Sequence, residues 1–496
     1  VKNSLEVKVD RLGRIIQDTG TGGSWPCSSD RVVWALSAWN IYLATGDMDW
    51  LQKAYDIIGR SLEADFVVVY NPQTGLFRGE SSFIDWREQS YPVWAQPADI
   101  YMSECLGTNA AYYGVLKVME DMATVLGKKK DVKKYGQKAE ALKKAINDNF
   151  WVEEDGYYAS YLYGRQNLTR TQQSETLGES FCVLFGIADE ERAAKVISSM
   201  PVGEFGPPIF SPQIVSQPDY HNNGVWPYVT SFWGKAAAKV GNETALMHAL
   251  ACNVRTASIY ATNYENYSFN TGNPYTTQIN SPNMLWGLSG FMGLFHRTFF
   301  GLEFTKEGLA LKPFVPTVLA GTRKLEAFPY RGMKLDITVS GSGNEIASCL
   351  VDGKEAEAFI PADWTGNHSI EIVMKGEHKP SSVNMVGYIG MPEVPAVKAE
   401  AGKLQWNAIS GAAKYWVLKD GQKVTETTSC SYQTQGDGEY QVIAVSDKGV
   451  RSFNSEPLRV YADASVQSVA IDKWLDKTMG DQVKVKVNVP ATGWYV

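Results

Sequence analysis

The chain has 496 residues, more than one ordinary hydrophobic core accommodates, so we expect at least two domains. Its formal net charge of −7 and pI near 5.5 argue against a broad electrostatic surface for nucleic acid or anionic lipid. No apolar run approaches the ~20 residues that cross a bilayer, so no membrane span is predicted. Aromatic residues make up 12% of the chain, which fits a protein whose rings stack on ligands such as sugars.

The cysteines are scattered and form no CxxC pair, and the chain has only five histidines. This pattern predicts isolated buried thiols and no metal site. At the ends, "VKNSLEVKVD" resembles the middle of a strand, and "VNVPATGWYV" stops on a strand without a closing turn. We therefore expect a fragment of a longer protein whose export signal has been removed.

From residue 29 to about 301 the pattern is helical. In "SSDRVVWALSAWNIYLATGD" Ser29 or Asp30 can cap a helix, apolar residues recur at spacings of three and four, and Gly46 lies just past the end. A second amphipathic helix follows at 48–70. Further helices are predicted near 98–126, 130–149, 173–185, 188–199, 224–240, 242–260 and 283–298.

These helices are of two kinds. "NGVWPYVTSFWGKAAAKVG" and "NMLWGLSGFMGLFHRTFFG" are apolar or small on nearly every side, whereas "DVKKYGQKAEALKKAINDNF" has a charged face. A helix that is apolar all round must be enclosed by others. The pattern therefore predicts an inner layer of helices wrapped by an outer amphipathic layer, that is, a barrel of helical hairpins spanning residues 1–300.

After residue 300 the sequence alternates in period two between Gly, Pro and Asn turns, which predicts an antiparallel β domain over 301–388. A linker near "GMPEVPAVKAEAG" leads to residues 389–461. There "LQWNAISGAAKYWVLKDGQKV" and "GEYQVIAVSDKGVRSFNSEP" resemble strands of a fibronectin type III sandwich. Residues 462–496 are predicted to begin a truncated β module that resembles a carbohydrate-binding jelly roll.

Three loops of the helical region concentrate carboxylates, amides and aromatic rings. They are "RGESSFIDWREQSYPVW" at 78–94, "PDYHNNGVWPYVTSFW" at 218–233 and "NYENYSFNTGNPYTTQINSPNMLWGLSG" at 263–290. This is the mixture of groups that stacks on a sugar ring and hydrogen-bonds its hydroxyls. We expect the three loops to form one pyranose pocket.

The helical region resembles the six-hairpin glycosidases, most closely glycoside hydrolase family 63 of α-glucosidase type and the glycogen-debranching enzymes. "GESSFID" is similar to the loop that carries their general acid, which maps onto Asp85. "YENYSFNTGNP" is similar to the segment with the general base, which maps onto Glu265. "HNNGVWPY" and the 29–47 helix also match. The resemblance implies an (α/α)6 toroid of twelve helices, of which nine or ten are visible, and an inverting exo-acting α-glucosidase.

The residue types give this assignment a chemical reason. Inverting hydrolysis needs a protonated carboxyl at the leaving oxygen and an ionised carboxylate that activates water, about 6.5–9.5 Å apart. Asp85 stands beside Phe83, Ile84 and Trp86, and apolar surroundings raise a carboxyl pKa. Glu265 stands among Asn and Tyr donors that can keep it ionised. Alternatively, Asp85 could cap backbone amides and Glu265 could be a surface ion-pair partner.

Further residues are candidates for binding the sugar. Rings expected to stack on it or line the pocket belong to Trp34, Trp86, Tyr91, Trp94, Trp226, Tyr275 and Trp286. Polar groups expected to bind its hydroxyls belong to Asp30, Arg31, Glu80, Glu175, His221 and Asn223. For Asp30, Glu80 and Glu175 helix capping is the alternative, and for Trp34, His221, Trp226 and Trp286 it is a structural role.

Three other functions stay open from the sequence: an α-L-rhamnosidase on the same toroid, a polysaccharide lyase using Tyr220 and His221, and a non-catalytic glycan-binding protein. The partner in each case is an oligosaccharide or polysaccharide. No cofactor is implied, because two carboxylates suffice for the proton transfers. Ca²⁺ could bind the Asp- and Asn-rich loops, although no spacing requires it. The β modules indicate an extracytoplasmic location, periplasm or cell surface.

Overall fold

The computed structural model describes residues 1–16, 25–80, 89–400 and 402–461. Within these ranges a helical region is followed by two β-rich units. No helix in the described ranges combines the length and apolarity needed to cross a bilayer. The predicted module at 462–496 lies outside the described residues.

The first residues form a helix and not the predicted strand. Lys2–Glu6 is helical, and only Val9 pairs in a β-bridge, with Ile15. The segment packs against the next helix, since Trp34 Nε1 donates to the carbonyl of Leu5 at 2.9 Å. The Leu, Val and Lys alternation that indicated a strand is too short to outweigh this packing.

The described residues contain eleven α-helices, and most of the long ones agree with the predicted segments. They are α1 Lys2–Glu6, α2 Trp34–Thr45, α3 Met48–Val68, α4 Pro97–Met102, α5 Leu106–Val125, α6 Lys129–Phe150, α7 Thr176–Leu184, α8 Glu190–Ser199, α9 Pro227–Lys239, α10 Glu243–Tyr260 and α11 Leu285–Leu294.

Local chemistry explains several helix boundaries. Gly46 ends α2 with φ of 72°, a left-handed conformation that glycine adopts without strain. The Asp47 side chain accepts from Trp50 N at 2.9 Å and starts α3. Asp189 and Asn242 cap α8 and α10 in the same way. The single helix predicted at 98–126 is broken in two, because Glu104–Cys105 pairs with Tyr161–Tyr163.

The two predicted layers are present. Fifteen of the 20 residues of α5 are buried, whereas α6 buries six of its 22 and exposes its lysines. Helix α5 contacts α2 and α7, and α9 contacts α7 and α11, so these five helices form the inner layer. Helices α3, α6, α8 and α10 lie outside them and complete four hairpins with α2, α5, α7 and α9. A closed ring of six hairpins is not established by this arrangement.

Short strands lie between the helices, and most of them are two residues long. They are β1 Tyr70–Asn71, β2 Leu76–Phe77, β3 Glu104–Cys105, β4 Trp151–Val152, β5 Tyr157–Tyr158, β6 Tyr161–Tyr163, β7 Thr169–Arg170, β8 Ser174–Glu175, β9 Pro201–Val202, β10 Phe210–Ser211, β11 Gln213–Ile214, β12 Gly224–Val225 and β13 Tyr267–Ser268.

The first β unit has its own core, which includes Leu335, Ile337 and Ile370. Its strands are β14 Leu302–Phe304, β15 Gly308–Leu311, β16 Gly321–Tyr330, β17 Met333–Gly341, β18 Glu345–Val351, β19 Lys354–Glu355, β20 Phe359–Pro361 and β21 Gly366–Lys375. The larger sheet has the order β16-β17-β21-β18-β19. Strand β21 lies between β17 and β18 and pairs parallel with β17 and antiparallel with β18. The sheet is therefore mixed, whereas the sequence predicted an antiparallel one.

Two strands of the linker return to the helical region. They are β22 Asn384–Met385, which pairs with β9, and β23 Gly390–Met391, which pairs with β11. Beyond them the C-terminal sandwich, residues 397–460, contains β24 Lys398–Glu400, β25 Lys403–Gln405, β26 Ala412–Lys419, β27 Gln422–Thr427, β28 Ser431–Gln433, β29 Gly438–Ser446 and β30 Leu458–Val460. They form sheets of three and four strands around Trp406, Tyr415 and Tyr440.

The helical region contains a glycine that lacks any evident function. Gly59 lies in the middle of α3, and a Cβ placed there would have its nearest neighbours, Met119 Cε and Tyr135 Oη, at 3.9 Å. We expect Gly59→Ala to raise the free energy of unfolding of the helical region by about 0.5–1 kcal/mol, because alanine loses less backbone entropy in a helix. Urea denaturation followed by far-UV circular dichroism measures this. A lower midpoint would contradict the helical packing described here.

Candidate functional site

The candidate site lies where the inner helices begin. Inner helices α2, α5, α7 and α9 are each followed by an outer helix that returns the chain, so α5, α7, α9 and α11 present their N-termini at the same end. The segments before these helices, including the described parts of the three predicted loops, gather there. Helix N-termini carry unpaired N–H groups and partial positive charge, which favour carboxylates and other oxygen-rich groups.

One side chain joins all three loops. Gln89, at the end of the first loop, is buried; its Nε2 donates to Gln278 Oε1 of the third loop at 2.6 Å. Its Oε1 accepts from the backbone N of Asn222 in the second loop at 3.0 Å. The structure therefore brings together the loops that the sequence predicted to meet, through a residue that the sequence did not single out.

The second and third loops are also joined by their backbones. Strand β12 pairs with β13, and Gln278 N donates to the carbonyl of Asp219 at 2.8 Å. Asn223 is buried with φ of 53°, and its Nδ2 donates to Asp219 Oδ1 at 2.6 Å. Asn223 therefore holds a strained turn in shape, in addition to any contact with a ligand.

Aromatic rings line this junction. Trp226 is buried, its Nε1 donates to the carbonyl of Tyr220 at 3.0 Å, and its ring lies 5.4 Å from that of Trp286. Trp286 is partly exposed and stacks on Tyr228 at 4.6 Å. His221 stacks on Tyr220 at 4.6 Å and is 1% exposed. Burial lowers the pKa of His221 to about 3, so it is a neutral imidazole at physiological pH.

Glu265 and Tyr275 lie in the third loop at different depths. Glu265 is partly buried, and its backbone N donates to the carbonyl of Ser281 at 3.0 Å. The ring of Tyr275 is 70% exposed, and its hydroxyl accepts from that of Tyr264 at 3.3 Å. Both side chains are therefore within reach of a ligand at the surface of the loops.

Glu175 links two inner helices. Its Oε1 accepts from Gly178 N in α7 and its Oε2 from Gly107 N in α5, each at 3.2 Å. A Cβ at either glycine would lie 2.7–2.9 Å from Oε2. The carboxylate is buried, with 1% of Glu175 exposed. Its two hydrogen bonds hold the N-termini of α5 and α7 next to each other. These contacts favour the capping role that the sequence left open.

Two further buried carboxyls lie nearby. Glu80 is 2% exposed; its backbone N donates to Cys27 O, and its carbonyl accepts from Thr108 Oγ1 of α5. Glu179 lies one turn after Glu175 and accepts from Tyr158 N at 2.8 Å. Burial, with a smaller contribution from the charge of Glu175, raises the pKa of Glu179 well above its usual value. The sequence did not single out Glu179.

Two aromatic residues at the C-terminal end of the first loop, Tyr91 and Trp94, have contacts that the sequence did not predict. Tyr91 is buried, with its hydroxyl 2.8 Å from Ser103 Oγ and its ring against Tyr161. Trp94 Nε1 donates to the carbonyl of Asn454 in the C-terminal sandwich at 2.8 Å. The Tyr91 ring thus packs inside the helical region, whereas Trp94 contacts the C-terminal sandwich and stays partly exposed, so both rings have structural contacts that the sequence did not predict.

The residues predicted on the first long helix are also structural. The Arg31 guanidinium is buried, pairs with Asp65 Oδ1 at 2.9 Å and lies over the Trp25 ring. Trp34 is buried against Trp50. Burial raises the pKa of Asp65 to about 6 despite the adjacent guanidinium. The contacts of Arg31 correct its predicted role as a clamp for the terminal sugar.

Three predicted residues lie beyond what the structure describes. Asp85 and Trp86 fall in 81–88, and the side chain of Asp30 is likewise outside the described part. The separation of Asp85 from Glu265 therefore stays a prediction.

One cavity of the described residues lies away from these loops. It has a volume of about 1790 Å³ and is lined by the C-terminal halves of α5, α7 and α9 together with α2 and β14. It thus opens at the opposite end of the inner helices, and its lining contains none of the predicted site residues among those described. Cavity size alone would point away from the chemistry indicated by the loops.

Comparisons with known proteins address the helical region. Residues 19–202 match the family model of the bacterial alpha-L-rhamnosidase six-hairpin glycosidase domain. This match supports the predicted six-hairpin superfamily and a glycoside hydrolase. It does not support the resemblance to glycoside hydrolase family 63 or the α-glucosidase prediction, and it favours the α-L-rhamnosidase alternative that the sequence left open. No curated protein sequence matches the chain.

Solved structures with a similar fold include a protein titled "Sialidase", with a TM-score of 0.50 and 16% identity over 66% of this chain and 31% of that one. Another is a GH78 family rhamnosidase of Bacillus sp. GL1, with a TM-score of 0.44 and 17% identity over 73% of this chain and 35% of that one. The chain thus spans about a third of the length of these proteins.

The Glu175 contacts predict that one methyl group added at Gly178 lowers the stability of the protein. In Gly178→Ala the new Cβ would collide with Glu175 Oε2 and with the backbone N of Gly107, so the carboxylate must leave its place. We expect the free energy of unfolding to fall by about 1–3 kcal/mol, as for other overpacked sites. The same urea titration measures it, with Gly59→Ala as the matched control in a roomy helix. Equal stability of the two variants would contradict the bridge.

The buried ion pair predicts a pH-dependent loss in Arg31→Met. Removing the guanidinium leaves Asp65 buried and uncompensated, which costs about 3–5 kcal/mol at pH 7. Burial raises the pKa of Asp65 to about 6, above its unfolded value, even though Arg31 lowers it. Removing the guanidinium raises this pKa further, so lowering the pH toward 5 protonates the carboxyl and shrinks the deficit.

Denaturation of the wild type and Arg31→Met at both pH values tests this. A variant with unchanged stability and weakened sugar binding would restore the predicted sugar-clamping role of Arg31.

Proposed function

We propose that this protein is an inverting glycoside hydrolase of the six-hairpin type that acts on α-L-rhamnosides or related glycans. The match of residues 19–202 to the alpha-L-rhamnosidase domain carries this proposal, and the matched range spans the loop with Asp85. The contacts of Gln89 support it, because they assemble the three carboxylate- and aromatic-rich loops at one end of the inner helices.

In the proposed mechanism Asp85 is the general acid and Glu265 the general base. Asp85 protonates the glycosidic oxygen as the bond breaks, and Glu265 takes a proton from a water that attacks the opposite ring face. Trp286 and Tyr275, whose rings are exposed in part or largely, are two described rings of the third loop that can stack on the sugar. His221 is neutral and can only donate or accept a hydrogen bond there.

The proposed organisation follows the same inference. Residues 1–300 belong to an (α/α)6 toroid, 301–388 to a β domain and 389–461 to a fibronectin type III-like sandwich, which the sheets of three and four strands support. The substrate is an oligosaccharide or polysaccharide met outside the cytoplasm, in the periplasm or at the cell surface.

A glycoside assay with the two carboxylates exchanged tests the proposal. We expect turnover of an aryl α-L-rhamnoside with inversion of the anomeric configuration, and a loss of about 10²–10⁴-fold in Asp85→Asn and in Glu265→Gln. NMR of the first product identifies the anomer. Asp56→Asn, an exposed carboxylate on α3, is the control and should leave turnover unchanged.

Other outcomes would support other functions. Faster turnover of α-glucosides would restore the α-glucosidase prediction, and an unsaturated ultraviolet-absorbing product would indicate a lyase. Glycan binding without turnover, unaffected by either substitution, would indicate a binding protein. Retention of configuration would refute the assignment of acid and base.

A further inference from the structure

The C-terminal sandwich is joined to the helical region by a buried aromatic cluster. Phe453 of the sandwich is 3% exposed, and its ring lies 5.8 Å from Tyr163 and 6.4 Å from Tyr161. Tyr161 in turn contacts Tyr91 at 4.8 Å. Tyr91 belongs to the first site loop, so the cluster connects the sandwich to that loop through one intervening ring.

Hydrogen bonds around Asn454 fix the same junction. Its carbonyl accepts from Trp94 Nε1 at 2.8 Å, and its N donates to Tyr163 Oη at 2.7 Å. Its Nδ2 donates to Thr169 Oγ1 at 2.6 Å. Three directional bonds on one residue specify both position and orientation, which apolar contact alone does not do.

Charged groups surround the junction. The Arg165 guanidinium pairs with Asp99 at 3.1 Å on the helical side and with Glu456 at 2.8 Å on the sandwich, and it lies over the ring of Trp94. Glu439 of the sandwich accepts from the backbone N of Asn167 at 3.2 Å. The sandwich therefore contacts both the first site loop and the 165–172 segment.

The largest rings in the core of the sandwich are not available to a sugar. The rings of Trp406, Tyr415 and Tyr440 are buried in its own core, and Phe453 is buried in the junction. Stacking on a sugar requires an accessible ring face.

We propose that the C-terminal sandwich positions the catalytic loop. Asn454 binds Trp94 directly, and Phe453 packs on Tyr161, which in turn contacts Tyr91. The same short segment begins with Gln89, which joins the three site loops. This inference rests on the proposed function, because the loop matters for turnover only if Asp85, four residues before Gln89, is the general acid. Phe453 and Asn454 act through Tyr91 and Trp94 and are positioning residues.

A comparison of leaving groups tests this positioning role. A glycoside with a poor leaving group needs protonation by the general acid, whereas an activated aryl glycoside needs little. In Phe453→Ala we expect kcat for the poor leaving group to fall by about 10–100-fold. For the activated substrate we expect a change of less than about twofold. Equal losses on both substrates, or no loss on either, would overturn the proposal.

Two further variants guard against a trivial loss of folding. Tyr163→Phe removes only the acceptor of the Asn454 N–H group and should give a smaller loss with the same selectivity. Val424→Ala, at an exposed position of the same sandwich, should change neither rate. A loss in Val424→Ala equal to that in Phe453→Ala would overturn the positioning role.

Hydrogen exchange separates this proposal from the proposed function. In Phe453→Ala we expect faster exchange at the amides of residues 89–94 and at Asn222, whose N–H donates to Gln89. This readout applies even if the protein hydrolyses no glycoside, in which case the proposed function fails by itself. Unchanged exchange at these amides would overturn the positioning role whatever the activity.

Discussion

The side-chain amide of Gln89 is the interaction on which the site end of this molecule depends. A side-chain amide has both a donor and an acceptor, and here each binds a different loop. The Gln89 NH2 group donates to Gln278, and the Gln89 carbonyl oxygen accepts from Asn222. Because Gln89 is buried, loss of either bond would leave a polar group without water. The three loops therefore hold one another in place, although they are distant in sequence.

The inner helices supply the frame for this junction. Glu175 bridges the N-termini of α5 and α7, and the two glycines that receive it leave no room for a side chain. Glu179, one turn further along α7, has a raised pKa and so avoids placing a second buried negative charge beside Glu175. The close fit of Glu175 between the two glycines and the raised pKa of Glu179 therefore both favour a single negative charge here, that of Glu175.

Local patterns predicted much of the fold, and contacts between distant segments account for what they missed. The stop of α2 at Gly46 and the layering of α5 and α6 follow from neighbouring residues, so sequence reasoning found them. The break before α5 depends on a strand pair with 161–163, and the parallel placement of β21 depends on sheet topology. The hydrophobic periodicity of a single segment carries no information about such pairings with distant segments.

The same distinction holds for the site. The sequence located the loops by composition, and the structure confirms that their described parts meet. It could not foresee that Arg31 would pair with Asp65, because the partner is 34 residues away on another helix. It also missed Gln89, since a glutamine among carboxylates and tryptophans shows no feature of its own.

The fate of the aromatic residues limits what composition can establish. The sequence offered several rings for sugar stacking, yet Trp94 contacts the C-terminal sandwich, Tyr91 packs on Tyr161, and Trp34 packs in the core, the structural role that the sequence left open for it. A ring can stack on a sugar only if one face remains accessible. Among the candidate rings of the third loop, Trp286 and Tyr275 keep exposed surface and meet that condition, whereas a buried ring such as Trp226 does not.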